Sequence, residues 1–343
     1  GSEMCIRDRR GGFLRRGRRS NHQAAGDYQT LCGGFMNSCN TAVVDIGGTN
    51  IKYGFLPAGA QTPQFTKEAP TNAHLGGTAL METVQALLRA LPAFERIGVS
   101  TCGQVDRQTG GIRYATDNVP RYTGTPVRSL LEEAFGVPVA VENDVNAAAL
   151  GEAHFGAGRG CQHFLCLTYG TGIGGAAILN GELYTGFHGA AGEFGHIVTH
   201  AGGRKCTCGG EGCYETYAST RALTREAESL LGHPVNGREL FALLHHGNQA
   251  IVQLVDSWIG EIAVGLAGLA YSLDPERIVL GGGIMKEPYL LPRLKQALDA
   301  RLMPSYRDIA LVPAQLGNTA GLMGAYWAAA QLTGEKNGAG SLL

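Results

Sequence analysis

Two glycine-rich turns, each set between short apolar runs and lying in opposite halves of the chain, constrain the fold most. The first is Gly47-Gly48 between residues 41–46 (TAVVDI) and 51–56 (IKYGFL). The second is Gly170–Gly175 between residues 163–169 and 174–179. Such runs around a Gly turn predict paired strands, and their recurrence suggests an internal duplication. The spacing of Leu80, Val84, Leu87, Leu88 and Leu91 predicts a helix over 77–91. Strands are expected at 96–100 and 137–142. A helix is expected over 144–154, with Asp144 acting near its N-cap. A long helix at 250–272 carries Ile251, Leu254, Val255, Trp258, Ile262, Leu266 and Leu269 on one face, and Pro275 follows it. Residues 277–281 form a strand running into Gly282 and Gly283, and 317–332 a closing helix. Strands and helices alternating over more than 250 residues indicate α/β layers.

The 343 residues are 44% hydrophobic and 17% charged, enough to bury a sizeable core and too apolar for a disordered chain. No run of 18 apolar residues occurs, so no membrane span is expected. Residues 1–35 hold seven Arg against Glu3, Asp8 and Asp27, while the remainder holds 21 basic and 26 acidic residues. An acidic body is a poor partner for nucleic acid. The basic segment has no apolar core of a secretory signal. Residues 1–38 read as a disordered leader foreign to the native protein, with Met36 as the native start; a transit peptide or a basic arm are the alternatives.

Four constellations carry chemistry. In Asp45-Ile46-Gly47-Gly48-Thr49-Asn50, two glycines let backbone N–H groups close on a phosphate, Thr49 adds a hydroxyl and Asp45 suits a hydrated Mg²⁺. An ordinary hairpin turn is the alternative. In Tyr169–Gly175 the glycines sit between two strands, whereas a dinucleotide loop joins strand to helix, so a grip on polyphosphate or a structural turn remains. In Glu142-Asn143-Asp144-Val145-Asn146, a carboxylate and two amides meet at a helix N-terminus, where Asp144 can accept a proton from an attacking hydroxyl or simply cap the helix. Finally, His196, Cys206, Cys208 and Cys213 form H-x₉-C-x-C-x₄-C among tight glycine turns, a structural Cys₃His zinc set. Cys206 and Cys208 are too close to bridge comfortably, and no secretion signal favours disulfides. Glu193 and Glu215 flank this set and are placed to hold a polar ligand, unless they are solvated surface charges. The six other cysteines lack ligand spacing.

Together, DIGGTN at 45–50, ENDVNAAA at 142–149, GTGIGG at 170–175, EFGHI at 193–197 and CTCGGEGCYE at 206–215 resemble the ROK family of repressors, open reading frames and sugar kinases. The resemblance covers about residues 40–332. It implies a two-lobed actin-like, hexokinase-like (ribonuclease H-like) α/β ATPase fold with a zinc-binding loop. One lobe would comprise 39–145 plus 318–333, the other 146–317, with ATP and sugar between them. By the same resemblance, Asp45, Gly47, Gly48 and Thr49 match the first phosphate loop and Thr171, Gly172 and Gly174 the second, while Gly282 and Gly283 flank the adenosine. Asp144 matches the catalytic base. Asn143, Glu193, His196 and Glu215 match sugar contacts, as do Gly103 and Asn118, and His196 would serve zinc and sugar at once. The implied cofactors are ATP, Mg²⁺ and a structural Zn²⁺. The implied activity is transfer of phosphoryl to a sugar 6-hydroxyl.

One departure stands out: many relatives carry three glycines where this chain has Gly174-Gly175-Ala176. Residues 113–126 are similar to kinases of glucose, β-glucosides or N-acetylmannosamine, which leaves the sugar open. Two other functions fit the sequence less well. A sugar-responsive repressor of the same family needs a DNA-binding domain before the first loop, and only 44 residues precede Asp45. A zinc hydrolase needs an open metal position, which four good ligands would fill. A homodimer is expected from the family, and the cytoplasm from the absence of a signal peptide and the reduced character of the cysteines.

Overall fold

The computed structural model describes residues 39–116 and 118–332. The expected leader, residues 1–38, lies outside the described residues, as does residue 333 at the end of the expected first lobe. The first half runs β1 (Thr41–Ile46), β2 (Asn50–Leu56), β3 (Phe65–Pro70), α1 (Gly77–Arg89), β4 (Arg96–Thr101), β5 (Gln104–Asp106), β6 (Gly111–Tyr114), α2 (Val127–Phe135), β7 (Val139–Asn143) and α3 (Asp144–Phe155). The second half runs β8 (Phe164–Tyr169), β9 (Ile173–Leu179), β10 (Glu182–Tyr184), α4 (Glu215–Ala218), α5 (Thr220–Leu231), α6 (Gly237–His245), α7 (Gln249–Leu273), β11 (Arg277–Gly281), α8 (Leu290–Asp299), β12 (Ala310–Pro313) and α9 (Ala320–Leu332).

The duplication suggested by the two glycine turns is visible in the sheets. One has the order β3-β2-β1-β4-β7 and the other β10-β9-β8-β11-β12. In each, the hairpin strands are antiparallel and the next two join in parallel. The central strands are buried on both faces, as parallel strands covered by helices must be. The β5–β6 ribbon stands apart, at the exit of β4.

The side-chain pattern gives no expectation for β3, β5, β6, β10, β12, α2, α4, α5, α6 or α8. The strands among these are short edges: β3 is mostly exposed, and β12 has four residues ending in a proline. The closing helix also begins later than expected. Residues Gly317–Thr319 form a 3₁₀ turn with Gly317 at φ +53°, and α9 starts at Ala320. Helix α7 is long and apolar enough to cross a bilayer by length and composition alone. Its apolar stripe instead fills the core of the second half, against α4–α6 and α8.

The halves meet where α3 crosses α9. A Cβ on Gly324 would stand 1.6 Å from the Ala147 carbonyl oxygen, and one on Gly151 2.4 Å from that of Ala320. The helices therefore touch backbone to backbone. On its other side α9 lies against β4, where Gly98 faces the Ala325 carbonyl. Arg96, fully buried on the same strand, donates from Nε to Thr41 Oγ1 at 2.7 Å and lies over the Tyr326 ring.

Gly324→Ala forces this contact apart and is expected to cost about 3 kcal/mol or more, as overpacking against backbone does. Gly268→Ala, on the exposed face of α7 with nothing within 4 Å of the new Cβ, should be neutral or stabilise by up to about 1 kcal/mol. Urea melts of the two variants check the contrast.

Candidate active site

Asp45 is the penultimate residue of β1, beside Ser100 of β4, its parallel register partner. Ser100 Oγ donates to Asp45 Oδ1 at 2.6 Å, which leaves Oδ2 for another ligand. A Cβ on Gly321 would meet the Asp45 carboxyl at 3.0 Å, so Asp45 faces the first turn of α9, whose dipole favours an anion. The turn after β1 is pinned from outside. Thr71 donates from Oγ1 to the Gly47 carbonyl at 2.7 Å and from its backbone N–H to that of Thr49. Gly48 and Thr49 are left exposed.

The β7–α3 junction departs from the expected capping. Asn143 is the N-cap: its Oδ1 accepts from Val145 N at 3.0 Å and Asn146 N at 3.1 Å. Asp144 is instead the first helical residue. Both are good capping types, so a one-residue shift at the strand end decides which caps. Asn143 Nδ2 donates to the Gly103 carbonyl and to Asp144 Oδ1, each at 2.9 Å, and so carries the β4–β5 turn to the base candidate. Behind them, Glu142 is buried. It accepts from Asn146 Nδ2 and Asn143 N and pairs with Arg107 at 3.1 Å.

Burial, with Asp45 as the second cause, pushes the Asp144 carboxyl up to about 6. Asp45 is itself raised, by burial above all. Two carboxylates thus face one another at the N-termini of two crossing helices.

The second glycine turn closes on the same spot. A Cβ on Gly174 would run into the Val145 side chain at 2.4 Å, which holds β9 against the start of α3. Thr171 lies exposed at the turn tip. Gly172 faces Glu215, whose Oε2 accepts from Ile173 N at 3.3 Å. Ala176, where relatives carry a third glycine, points into the core with Ala149, Phe164 and Cys166 and away from the turn.

Beside this turn, His196, Cys206, Cys208 and Cys213 gather, with all four ligand atoms within 4.8 Å of one another. Cys208 Sγ lies 3.6 Å from Cys213 Sγ, and Cys206 Sγ 3.6 Å from His196 Nδ1. A tetrahedron with zinc–ligand bonds of ordinary length has edges of ~3.6–3.8 Å, so the four side chains fit the metal. The described cysteines carry no disulfide in the structure. Glu215 Oε1 lies 3.4 Å from Cys206 Sγ and 3.9 Å from His196 Nδ1. It therefore joins the thiol cluster to the second glycine turn. Glu193 is exposed and accepts from Gln104 Nε2 at 3.3 Å, a bond between the two halves. Asn118 stands exposed on the turn after β6, and no hydrogen bond among the described residues joins it to the others.

Past α3 lies a cavity of about 100 Å³, lined by Gly281–Gly283, Lys286, Gly317, Asn318 and Ala148, with Glu152 and Cys166 from its buried side. Gly282 and Gly283, the glycines expected to flank the adenosine, both line this cavity. Glu152 and Lys286 do not emerge from the sequence. One reads as a helix charge and the other as a surface lysine, and only the fold brings them to one cavity.

The ROK family model matches residues 41–332. The chain belongs to the ROK family. It is 35% identical over 309 residues to a glucokinase from Halalkalibacterium halodurans, covering 83% of this chain and 93% of that one. Among solved structures, a ROK hexokinase from Thermus thermophilus is 37% identical with a TM-score of 0.75, covering 86% of this chain and 99% of that one. A ROK family glucokinase from Streptomyces griseus, in complex with glucose and AMPPNP, is 33% identical with a TM-score of 0.74, covering 85% and 99%. The α/β architecture of this chain is thus that of the ROK hexokinases, the actin-like ATPase fold.

Because its folded-state value is raised from 3.8 to about 6, the proton on Asp144 favours folding. That contribution is complete below the ordinary carboxyl range and is lost as pH rises through 6. Asp144→Asn keeps the Oδ1 acceptor and cannot ionise. Its stability is expected to exceed that of the parent by on the order of 2 kcal/mol at pH 8 and to match it near pH 4. Urea melts at the two pH values read this, and a gap independent of pH contradicts it.

Proposed function

We propose that the chain is an ATP-dependent sugar kinase that phosphorylates the 6-hydroxyl of a hexose or N-acetylhexosamine, with glucose or N-acetylmannosamine as substrate. The observation that carries the reading is Asp144: a carboxylate raised toward neutrality, at a helix N-terminus, between two glycine turns and beside Asp45. The glucokinase relatives, and the glucose and AMPPNP in the Streptomyces griseus structure, support glucose and an adenine nucleotide as substrates.

In this reading Asp144 accepts the proton of the sugar 6-hydroxyl as that oxygen attacks the γ-phosphorus of ATP. The bond from the γ-phosphorus to the bridging oxygen breaks, and ADP leaves. A carboxylate near 6 is a competent base at neutral pH while staying close enough to neutrality to take the proton. Phosphoryl transfer demands positioning and charge stabilisation more than covalent help. The exposed turn residues Gly48 and Thr49, with Thr171, Gly172 and Gly174 of the second turn, supply the stabilisation through their backbone N–H groups, while the Gly47 N–H donates to the Asn50 carbonyl at 3.0 Å and holds the first turn in shape. Asp45, with Oδ2 uncommitted, is the residue that would hold Mg²⁺, which supplies charge neutralisation at the phosphates when bound. Asn143, Glu193, Glu215 and Gly103 orient the sugar hydroxyls, and Asn118 joins them from its turn. Gly282 and Gly283 take the adenosine. Closure of lobe 39–145 plus 318–333 on lobe 146–317 excludes water from the phosphate.

His196, Cys206, Cys208 and Cys213 would hold a zinc ion whose part is structural cross-linking of the 196–213 loop. His196 turns Nδ1 toward Cys206, which leaves Nε2 to meet a sugar hydroxyl. The loop thereby fixes Glu215 and the imidazole in place.

A coupled ADP-release assay with ATP and Mg²⁺ across glucose, N-acetylmannosamine, N-acetylglucosamine, mannose and fructose tests the kinase. Turnover with one or two of these is expected, and a folded protein inert toward all of them contradicts the reading. Metal analysis of purified protein should find about one zinc per chain. Cys206→Ser should lower the melting temperature and raise the sugar KM about tenfold, the scale on which ligand-orienting groups act. A metal-free, fully active protein contradicts the zinc assignment.

A further inference from the structure

Glu152 lies two turns beyond Asp144 on α3 and is 1% exposed. A carboxylate so buried must be met by protein donors, and three backbone N–H groups meet this one. Oε1 accepts from Leu316 N at 2.8 Å. Oε2 accepts from Ala157 N at 2.7 Å and from Gln315 N at 3.2 Å. Gln315 and Leu316 belong to the segment that leaves β12 and enters α9. The residues on either side of them, Ala314 and Gly317-Asn318, line the same cavity that Glu152 lines. One side chain thus fastens a wall of that cavity to the helix that presents Asp144.

Resting on the kinase reading above, we propose that Glu152 is a positioning residue for the nucleotide. It sets the 314–318 wall at the spacing the adenosine needs and keeps it in register with the base. Sugar contacts lie at the other end of α3 and do not pass through this carboxylate.

The chemistry of the anchor dictates the variants. Both carboxylate oxygens receive N–H groups. A glutamine has one acceptor oxygen and one donor NH₂, so either orientation sets an NH₂ against a backbone N–H. Glu152→Gln therefore preserves volume and breaks one side of the clamp. Glu152→Asp keeps both acceptors and withdraws them by one methylene.

The test is steady-state kinetics with ATP and sugar varied in turn. Glu152→Gln is expected to raise the KM for ATP about tenfold or more, the scale of a buried donor left unpaired, with the sugar KM within about twofold. Glu152→Asp should move in the same direction by less. Overturning results are a rise in both KM values together, or a lower melting temperature with the ATP KM unchanged. If neither variant folds, hydrogen exchange on the unmodified protein decides. A non-hydrolysable ATP analogue should slow exchange at Gln315 and Leu316 while sugar alone does not, and amides indifferent to the analogue overturn the proposal. Turnover by the unmodified protein separates the two claims. Its absence counts against the kinase reading, whereas its presence with an unchanged ATP KM in both variants counts against Glu152.

Discussion

Helices α3 and α9 cross at backbone distance because each offers a glycine to the other's carbonyl: Gly324 to Ala147, and Gly151 to Ala320. Each helix also begins at a carboxylate. Asp144 is the first residue of α3, and Asp45 faces the first turn of α9. The crossing therefore fixes the separation of the two acidic groups on which the proposed phosphoryl transfer depends. Gly98 extends the contact into the first sheet and Val145 into the turn of the second. A side chain larger than a hydrogen at the crossing would move both glycine turns at once.

The same arrangement explains why Asp144 is costly and useful. Burial and the neighbouring carboxylate hold it near 6, so its ionised form at neutral pH works against folding, while a value there suits the proton abstraction proposed for it. Asn143 limits the cost by capping the helix and donating to Asp144 Oδ1. The thiol and imidazole cluster anchors the second turn, where Glu215 reaches from it to the backbone of Ile173.

Much of this was legible in the chain because the demands are local. A glycine turn between two apolar runs has few alternatives to a hairpin, and two of them foretold two sheets of one strand order. The Cys and His spacing foretold a cluster that the fold closes to within 4.8 Å. What stayed hidden depends on partners distant in sequence. Glu152 is an ordinary helix glutamate until Leu316, 164 residues later, donates to it. Helix α9 is rich in alanine and glycine, which signals burial without naming the neighbour. The swap of Asn143 for Asp144 at the cap turns on one residue of strand length, finer than side-chain pattern resolves.

The account stands on Asp144 as the base for phosphoryl transfer to a sugar. The most direct measurement is turnover by the Asp144→Asn variant with saturating ATP, Mg²⁺ and the sugar the parent prefers. The account predicts a kcat about 10³-fold below the parent, within the range of a positioned general base, with the fold intact and sugar binding little changed. A variant that keeps most of the parent's kcat would contradict it.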